Sequence, residues 1–263
     1  VGASLNGTRV VMMHQRLDFF LLAMDQLVNN AAKAHYMFGG KLKAPITIRL
    51  IIGRGWGQGP THSQNLHAWF AHIPGLKVVA PSNPFDAKGL LLSSIFDPNP
   101  VIFLEHRWLH NTTSKVPESF YKVPLGKAKK IKNGKDITIV AFSYLVIESI
   151  YAQEFLKKYN IQCEIIDLRS IKPIDFNLII NSVKKTKNLL VIDSGYKSFS
   201  MANEIITQIV SSHFHIFDNP PLKLAMPDAP EPTSFALTKN FHIRASDIVR
   251  SILKVLKINK KIP

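Results

Sequence analysis

Short apolar runs rich in β-branched side chains recur along the chain and alternate with stretches whose apolar positions fall three and four apart. That alternation predicts parallel sheets with helices packed on both faces. In the first half, residues 9–13, 46–52, 77–80 and 101–104 read as strands. Between the first two, apolar residues at 19, 20, 23, 24, 27, 28, 31 and 32 form a helical stripe over 18–36, with Asp18 placed to cap it. A further helix is expected over 84–96, opened by Pro84 and stopped by Asp97-Pro98-Asn99-Pro100.

Periodicity lapses from about Trp108 to Asp136, where Pro117, Pro124, Gly126 and Gly134 interrupt the chain. It resumes with DITIVAF, IQCEIID and NLLVID as three buried strands. Helices are expected over 146–159, 175–185, after Ser200, and over 246–256. The expectation is therefore an α/β protein of two doubly wound domains, residues 1–118 and 136–263, joined by a linker over 119–135. Val1 to Leu5 followed by Asn6-Gly7 reads as the last turn of a helix with its left-handed cap, so the first domain is expected to be incomplete at its start. The run MPDAPEPTSFAL, residues 226–237, reads as a surface loop and a possible docking edge.

Composition narrows the function classes. Asp25, Lys33 and Arg49 break the most apolar region, leaving no run of the ~18 residues a membrane helix needs. The single cysteine, Cys163, cannot form an intrachain disulfide, and no signal peptide is visible, which fits the cytoplasm or an organelle matrix. The net charge of +15 suits an anionic partner. Yet the six lysines between Lys122 and Lys135 lack interleaved aromatics, so they read as a solvated connector and not as a nucleic-acid stripe.

The most unusual stretch is IGRGWGQGPTHSQ, residues 52–64, a glycine-rich loop at the end of a buried strand that closes on His62. Such loops lie where α/β proteins bind ligands. The pattern lacks the following helix and acidic residue of a dinucleotide fingerprint. His67 and His72 stand at i+5 and i+10 from His62, not at a helical metal-pair spacing.

The segments RLDFFLLAMDQLVNNAAK, HSQNLHAWFAHIPGLKVVAPSNPFDAKGLL, DPNPVIFLEHR and CEIIDLRSIKPID are similar, in order and spacing, to the β subunits of the pyruvate and branched-chain 2-oxo acid dehydrogenases. The resemblance covers almost the whole chain. It implies a transketolase-like pyrimidine-binding domain followed by a transketolase C-terminal domain, in an oxidoreductase that uses thiamine diphosphate. By that resemblance, Phe19 lies against the aminopyrimidine and His62 is the active-site histidine. The carbonyls of Ile46, Ser94, Asp97 and Asn99 would hold a structural potassium ion.

The family's glutamate, which hydrogen-bonds the aminopyrimidine, is expected upstream of Val1, making the chain N-terminally truncated relative to the family. The magnesium and diphosphate motif is expected on an α subunit. Partners implied are that α subunit, in an α2β2 heterotetramer, and a lipoyl acyltransferase component, with neither nucleic acid nor membrane. Two other readings stay open: a transketolase or deoxyxylulose-phosphate synthase-like transferase, and a noncatalytic truncated assembly subunit.

Overall fold

The structure is a computed structural model and describes residues 1–54 and 57–258. Gly55 and Trp56 of the glycine-rich loop, and the last five residues of the second expected domain, lie outside the described residues. Helix α1 (Gly2–Leu5) ends in a turn with Gly7 at φ +90°, the left-handed cap that the sequence suggests. There follow β1 (Val10–His14), α2 (Leu17–Phe20), α3 (Ala32–Met37), β2 (Ile46–Ile52), α4 (His67–His72), β3 (Lys77–Val79), α5 (Pro84–Ile95) and β4 (Val101–His106). The rest of the chain gives β5 (Lys129–Lys132), β6 (Ile137–Ala141), α6 (Tyr144–Leu156), β7 (Cys163–Asp167), β8 (Ser170–Lys172), α7 (Phe176–Thr186), β9 (Leu189–Tyr196), α8 (Met201–His213), β10 (Leu222–Met226), α9 (Phe235–Thr238) and α10 (Ala245–Val255).

The strands form two five-stranded sheets, ordered β1-β2-β4-β3-β8 and β10-β9-β6-β7-β5. Pairing is parallel except at β8 and β5, each an antiparallel edge. This is the expected double α/β architecture. One apolar core runs through both sheets, joining Ile48 and Ile102 of the first to Val140 and Ile166 of the second. A second core gathers Ile139 and Ile192 under α6 and α10, and a third gathers Leu90 and Phe103 under α5.

Local chemistry explains the boundaries that the sequence predicts well. Pro84 opens α5 and the Asn83 side chain accepts from the Asp86 amide at 2.9 Å, satisfying a first-turn donor. Asp175 does the same for Leu178 ahead of α7. Helix α10 buries Ile248, Val249, Ile252 and Leu253, a stripe at helical spacing, each fully buried side chain contributing about 1.5–3 kcal/mol.

The structure departs from the sequence reading in four places. The continuous helix over 18–36 is broken: α2 passes through a 3-10 turn, Leu21–Ala23, and a wide π-type turn, Gln26–Ala31, before α3. Asp18 does not cap it; Arg16 is the cap residue, without a side-chain bond, and Asp18 is committed elsewhere. The stretch expected as a connector contains β5, whose lysines decorate the edge of the second sheet; charged side chains are a common guard against edge-to-edge pairing. Finally, the IIDLRSIKP segment does not stay in the second half. Its β8 pairs with β3 of the first sheet, while Asp167 accepts from Ser82 at 2.5 Å and Arg169 pairs with Asp86 at 2.6 Å. Lys172 then donates to the carbonyls of Ala71 and Ile73, at the end of α4. Among the described residues, no helix is long and apolar enough to cross a membrane.

Candidate functional site

Strand β2 delivers the chain into the glycine-rich loop, and packing dictates how the loop leaves. Gly53 has φ +75°, and a Cβ there would lie 2.2 Å from His106 Nε2, so no larger residue fits. Buried Arg16 donates to the Gly53 carbonyl at 2.8 Å and to the Gln58 side chain. At the far end, Gln64 Nε2 donates to Asp18 Oδ1 at 2.9 Å, which is how Asp18 is used instead of as a cap.

These ties bring two predicted residues together. The ring of Phe19, on α2, meets that of His62 edge to face, with centroids 5.0 Å apart and planes at 86°. Phe19 is 50 % exposed, so a flat apolar wall is open on its outer side. His62 Nδ1 lies 2.9 Å from the Thr61 hydroxyl. When that hydroxyl donates, the ring proton sits on Nε2, available to a bound molecule. On the neighbouring residue, Asp18 Oδ2 is buried without a partner among the described residues. A half-open aromatic wall and a titratable ring suit a flat heteroaromatic group, such as an aminopyrimidine.

The loop also rests on the second half of the chain. Arg54 donates to the Thr238 hydroxyl and, at 3.3 Å, to the Thr233 carbonyl, and its Nε lies 3.8 Å from Glu231. The proline-rich run expected as a surface loop is therefore partly internal: Glu231 is 5 % exposed and pairs with His242 at 3.0 Å. No periodicity connects residues so far apart in sequence, and a lone Glu between prolines carries no signal.

His67, read as an improbable metal ligand, is fully buried with Nε2 2.7 Å from Asp193 Oδ1, and its ring stands edge-on to Phe142. Asp193 also accepts from the amides of Gly195 and Ala202. Burial opposes its charge, but His67 and those two amides outweigh it and hold the carboxyl below its usual range. Between α4 and the turn after β9, Trp69, Tyr196 and Phe199 line an interdomain cleft of about 500 Å³.

Of the potassium candidates, Ser94 lies in the last turn of α5 and Asp97 and Asn99 in the turn that follows it, while Ile46 stands one residue before Thr47, the partner of Val101. Cationic side chains already serve this turn: Arg9 donates to the carbonyls of Ile95 and Asp97, and Lys77 pairs with the Asp97 carboxylate at 2.5 Å. The Asn99 Oδ1 is buried without a partner.

Two buried groups, His106 beside Gly53 and Asp167 beside Ser82, make stability depend on pH in opposite senses. His106 accepts from the Trp108 amide at Nδ1 and is held neutral, its pKa lowered to about 3 by burial first and then by His242, His110, Arg244 and Arg16. Its contribution is full above the unfolded value of 6.5 and is lost as pH falls toward 3. Asp167 is raised to about 6 by burial, with Asp86 adding to it against the opposing bonds from Ser82 and the Arg169 amide. Its contribution is full below 3.8 and lost as pH rises through 6. Between those last two values the slopes cancel. Asp167→Asn is therefore expected to unmask an acid loss of roughly 1.4 kcal/mol per pH unit. Urea midpoints at pH 4, 5 and 6 check this, and a variant no steeper than its parent would contradict it.

Comparison with known proteins matches residues 1–112 to the transketolase pyrimidine binding domain and residues 126–248 to the transketolase C-terminal domain. The chain is 37 % identical over 260 residues to the acetoin:2,6-dichlorophenolindophenol oxidoreductase subunit beta of Cupriavidus necator, covering 99 % of this chain and 77 % of that one. It is 40 % identical over 255 residues to the pyruvate dehydrogenase E1 component subunit beta of Rickettsia felis, covering 97 % and 78 %. Among solved structures, a split gene transketolase described as an inactive beta4 tetramer superposes with a TM-score of 0.78 at 21 % identity, over 98 % of this chain and 79 % of that one. That likeness is one of fold.

Proposed function

From the membership of this chain in the family of E1 β subunits of 2-oxo acid dehydrogenases, pyruvate and acetoin types included, we propose that it supplies the aminopyrimidine half of a thiamine diphosphate site completed by an α subunit. The observation that carries this reading is the contact between half-exposed Phe19 and His62 at the mouth of the glycine-rich loop. When bound, the cofactor would supply the nucleophilic carbon and the electron sink for decarboxylating a 2-oxo acid.

The residues of this chain do the rest. Phe19 walls one side of the aminopyrimidine and keeps water from it. Asp18, accepting from Gln64, ties the start of α2 to the loop end beside His62. His62 holds or moves a proton at Nε2 beside the substrate carboxylate or the acyl group being passed on. The α subunit, in an α2β2 assembly, would bring magnesium and the diphosphate contacts, and a lipoyl acyltransferase would accept the acyl group. Residues 1–118 serve as the pyrimidine-binding unit and residues 136–263 as the association unit. Its exposed Phe199, with Trp69 across the cleft, offers apolar surface for a partner. Ile46, Ser94, Asp97 and Asn99 remain our site for a monovalent cation. The cytoplasm or an organelle matrix is the compartment that fits.

Calorimetry tests the assignment. The chain alone is expected to bind thiamine diphosphate weakly, and the chain with its α subunit to bind it tightly and with magnesium. Phe19→Ala in that complex should weaken binding by about 3- to 10-fold, the scale of one aromatic contact. Tight magnesium-dependent binding by the lone chain would overturn the shared-site reading.

A further inference from the structure

We propose that Arg54 and Glu231 form an interdomain clamp that positions the glycine-rich loop and, with it, His62; the consequence for catalysis rests on the reading of His62 given above. The loop has little support of its own. Between Gly53 and Gln64 the described backbone makes one internal turn bond, His62 N to Gly59 O at 3.3 Å. Side chains supply the other ties, and those from Arg54 all end on the segment that follows β10. Arg54 stands two residues past β2, reaching the Thr233 carbonyl, the Thr238 hydroxyl and the Glu231 carboxylate together.

The other end of the loop is pressed on the same segment. A Cβ at Gly59, which has φ +70°, would fall 2.3 Å from Thr233 Oγ1. Glu231 is the centre of the arrangement: nearly buried, it faces Arg54 on one side and His242 on the other, and the His242 ring in turn packs against Trp108, 4.9 Å away. A guanidinium this far from water needs its carboxylate, so removing Glu231 leaves Arg54 uncompensated, while removing Arg54 leaves Glu231 with His242 alone. The fork geometry of arginine, with separate donors for a carbonyl and a hydroxyl, lets one side chain grip two points of the opposing segment. The second domain thereby sets where the loop of the first one lies.

Hydrogen exchange by mass spectrometry on the full chain reads the clamp without reference to turnover. In Arg54→Ala and in Glu231→Ala, amides of residues 57–64 are expected to exchange roughly 10-fold faster, while β2 and β4 keep their protection. The double variant should be little faster than either single one, as coupled partners require. Glu231→Gln, which keeps the shape and an acceptor, should recover part of the protection. Thr238→Val, which removes one bond and no charge, gives a milder version should either alanine variant fold poorly. Unchanged exchange in the loop, or a rise spread equally over the first sheet, would overturn the clamp. In the reconstituted enzyme, kcat should fall with KM little altered, and the fall should vanish in a His62→Ala background. Faster exchange combined with a His62→Ala variant of normal turnover would uphold the clamp and remove His62 from the chemistry.

Discussion

His62→Ala is expected to slow acyl transfer in the reconstituted enzyme by about 100-fold or more, the scale for loss of a positioned acid or base. The ring closes a loop and, among the described residues, makes one aromatic contact, with Phe19, and one hydrogen bond, with Thr61, so its removal should leave the melting temperature within a few degrees of the parent. The two effects therefore separate. Near-normal turnover would take His62 out of the mechanism and leave Phe19 as a wall with no proton donor beside it.

The second large effect is on stability. Asp193→Ala should destabilise the fold by about 3–5 kcal/mol, since it strips a fully buried histidine of its partner and leaves the Gly195 and Ala202 amides without an acceptor. His67 sits on α4 and Asp193 on β9, so the loss falls on the contact between the two halves of the chain. Replacing both by apolar residues of similar volume should cost less than the single change, because the buried histidine is then no longer stranded and only the two amides still lack their acceptor. Urea unfolding of the single and double variants measures this. A loss below about 1 kcal/mol for Asp193→Ala would mean that water reaches His67 and replaces the carboxylate.

What the sequence discloses here and what it hides divide on physical grounds. Strands such as β2 and β6 are buried and mostly apolar along their length because helices cover both faces of a parallel sheet, and that burial writes itself directly into the sequence. Asn83-Pro84 and Asp175 announce helix starts because the backbone donors there need a side chain. Phe19 and His62 were approached by resemblance, and neither periodicity nor spacing relates two residues whose contact depends on a loop folding back over α2. Strand β8 is too short to show alternation, and β5 hides it under lysines. The partners of Arg54, His67 and Asp18 are out of reach because each is a long-range polar contact, those of Arg54 and His67 set by how the two sheets meet and that of Asp18 by the loop folding back over α2.

The passage of β8 into the first sheet also governs the order in which the molecule can be built. Strand β3 emerges with one side unpaired and stays so until Ser170–Lys172 has been made, some ninety residues later, which at ordinary translation speeds is roughly 5–20 s. During that interval the nascent first domain presents an open edge flanked by apolar residues, a template for the wrong neighbour. Cutting the gene between the two domains would make that interval permanent. The N-terminal fragment would keep its unsealed edge and the C-terminal one a tethered strand with nothing to pair to. Expressed separately, the pieces should be rescued only by being mixed, as a complementing pair in which the seam, rather than either half, decides solubility.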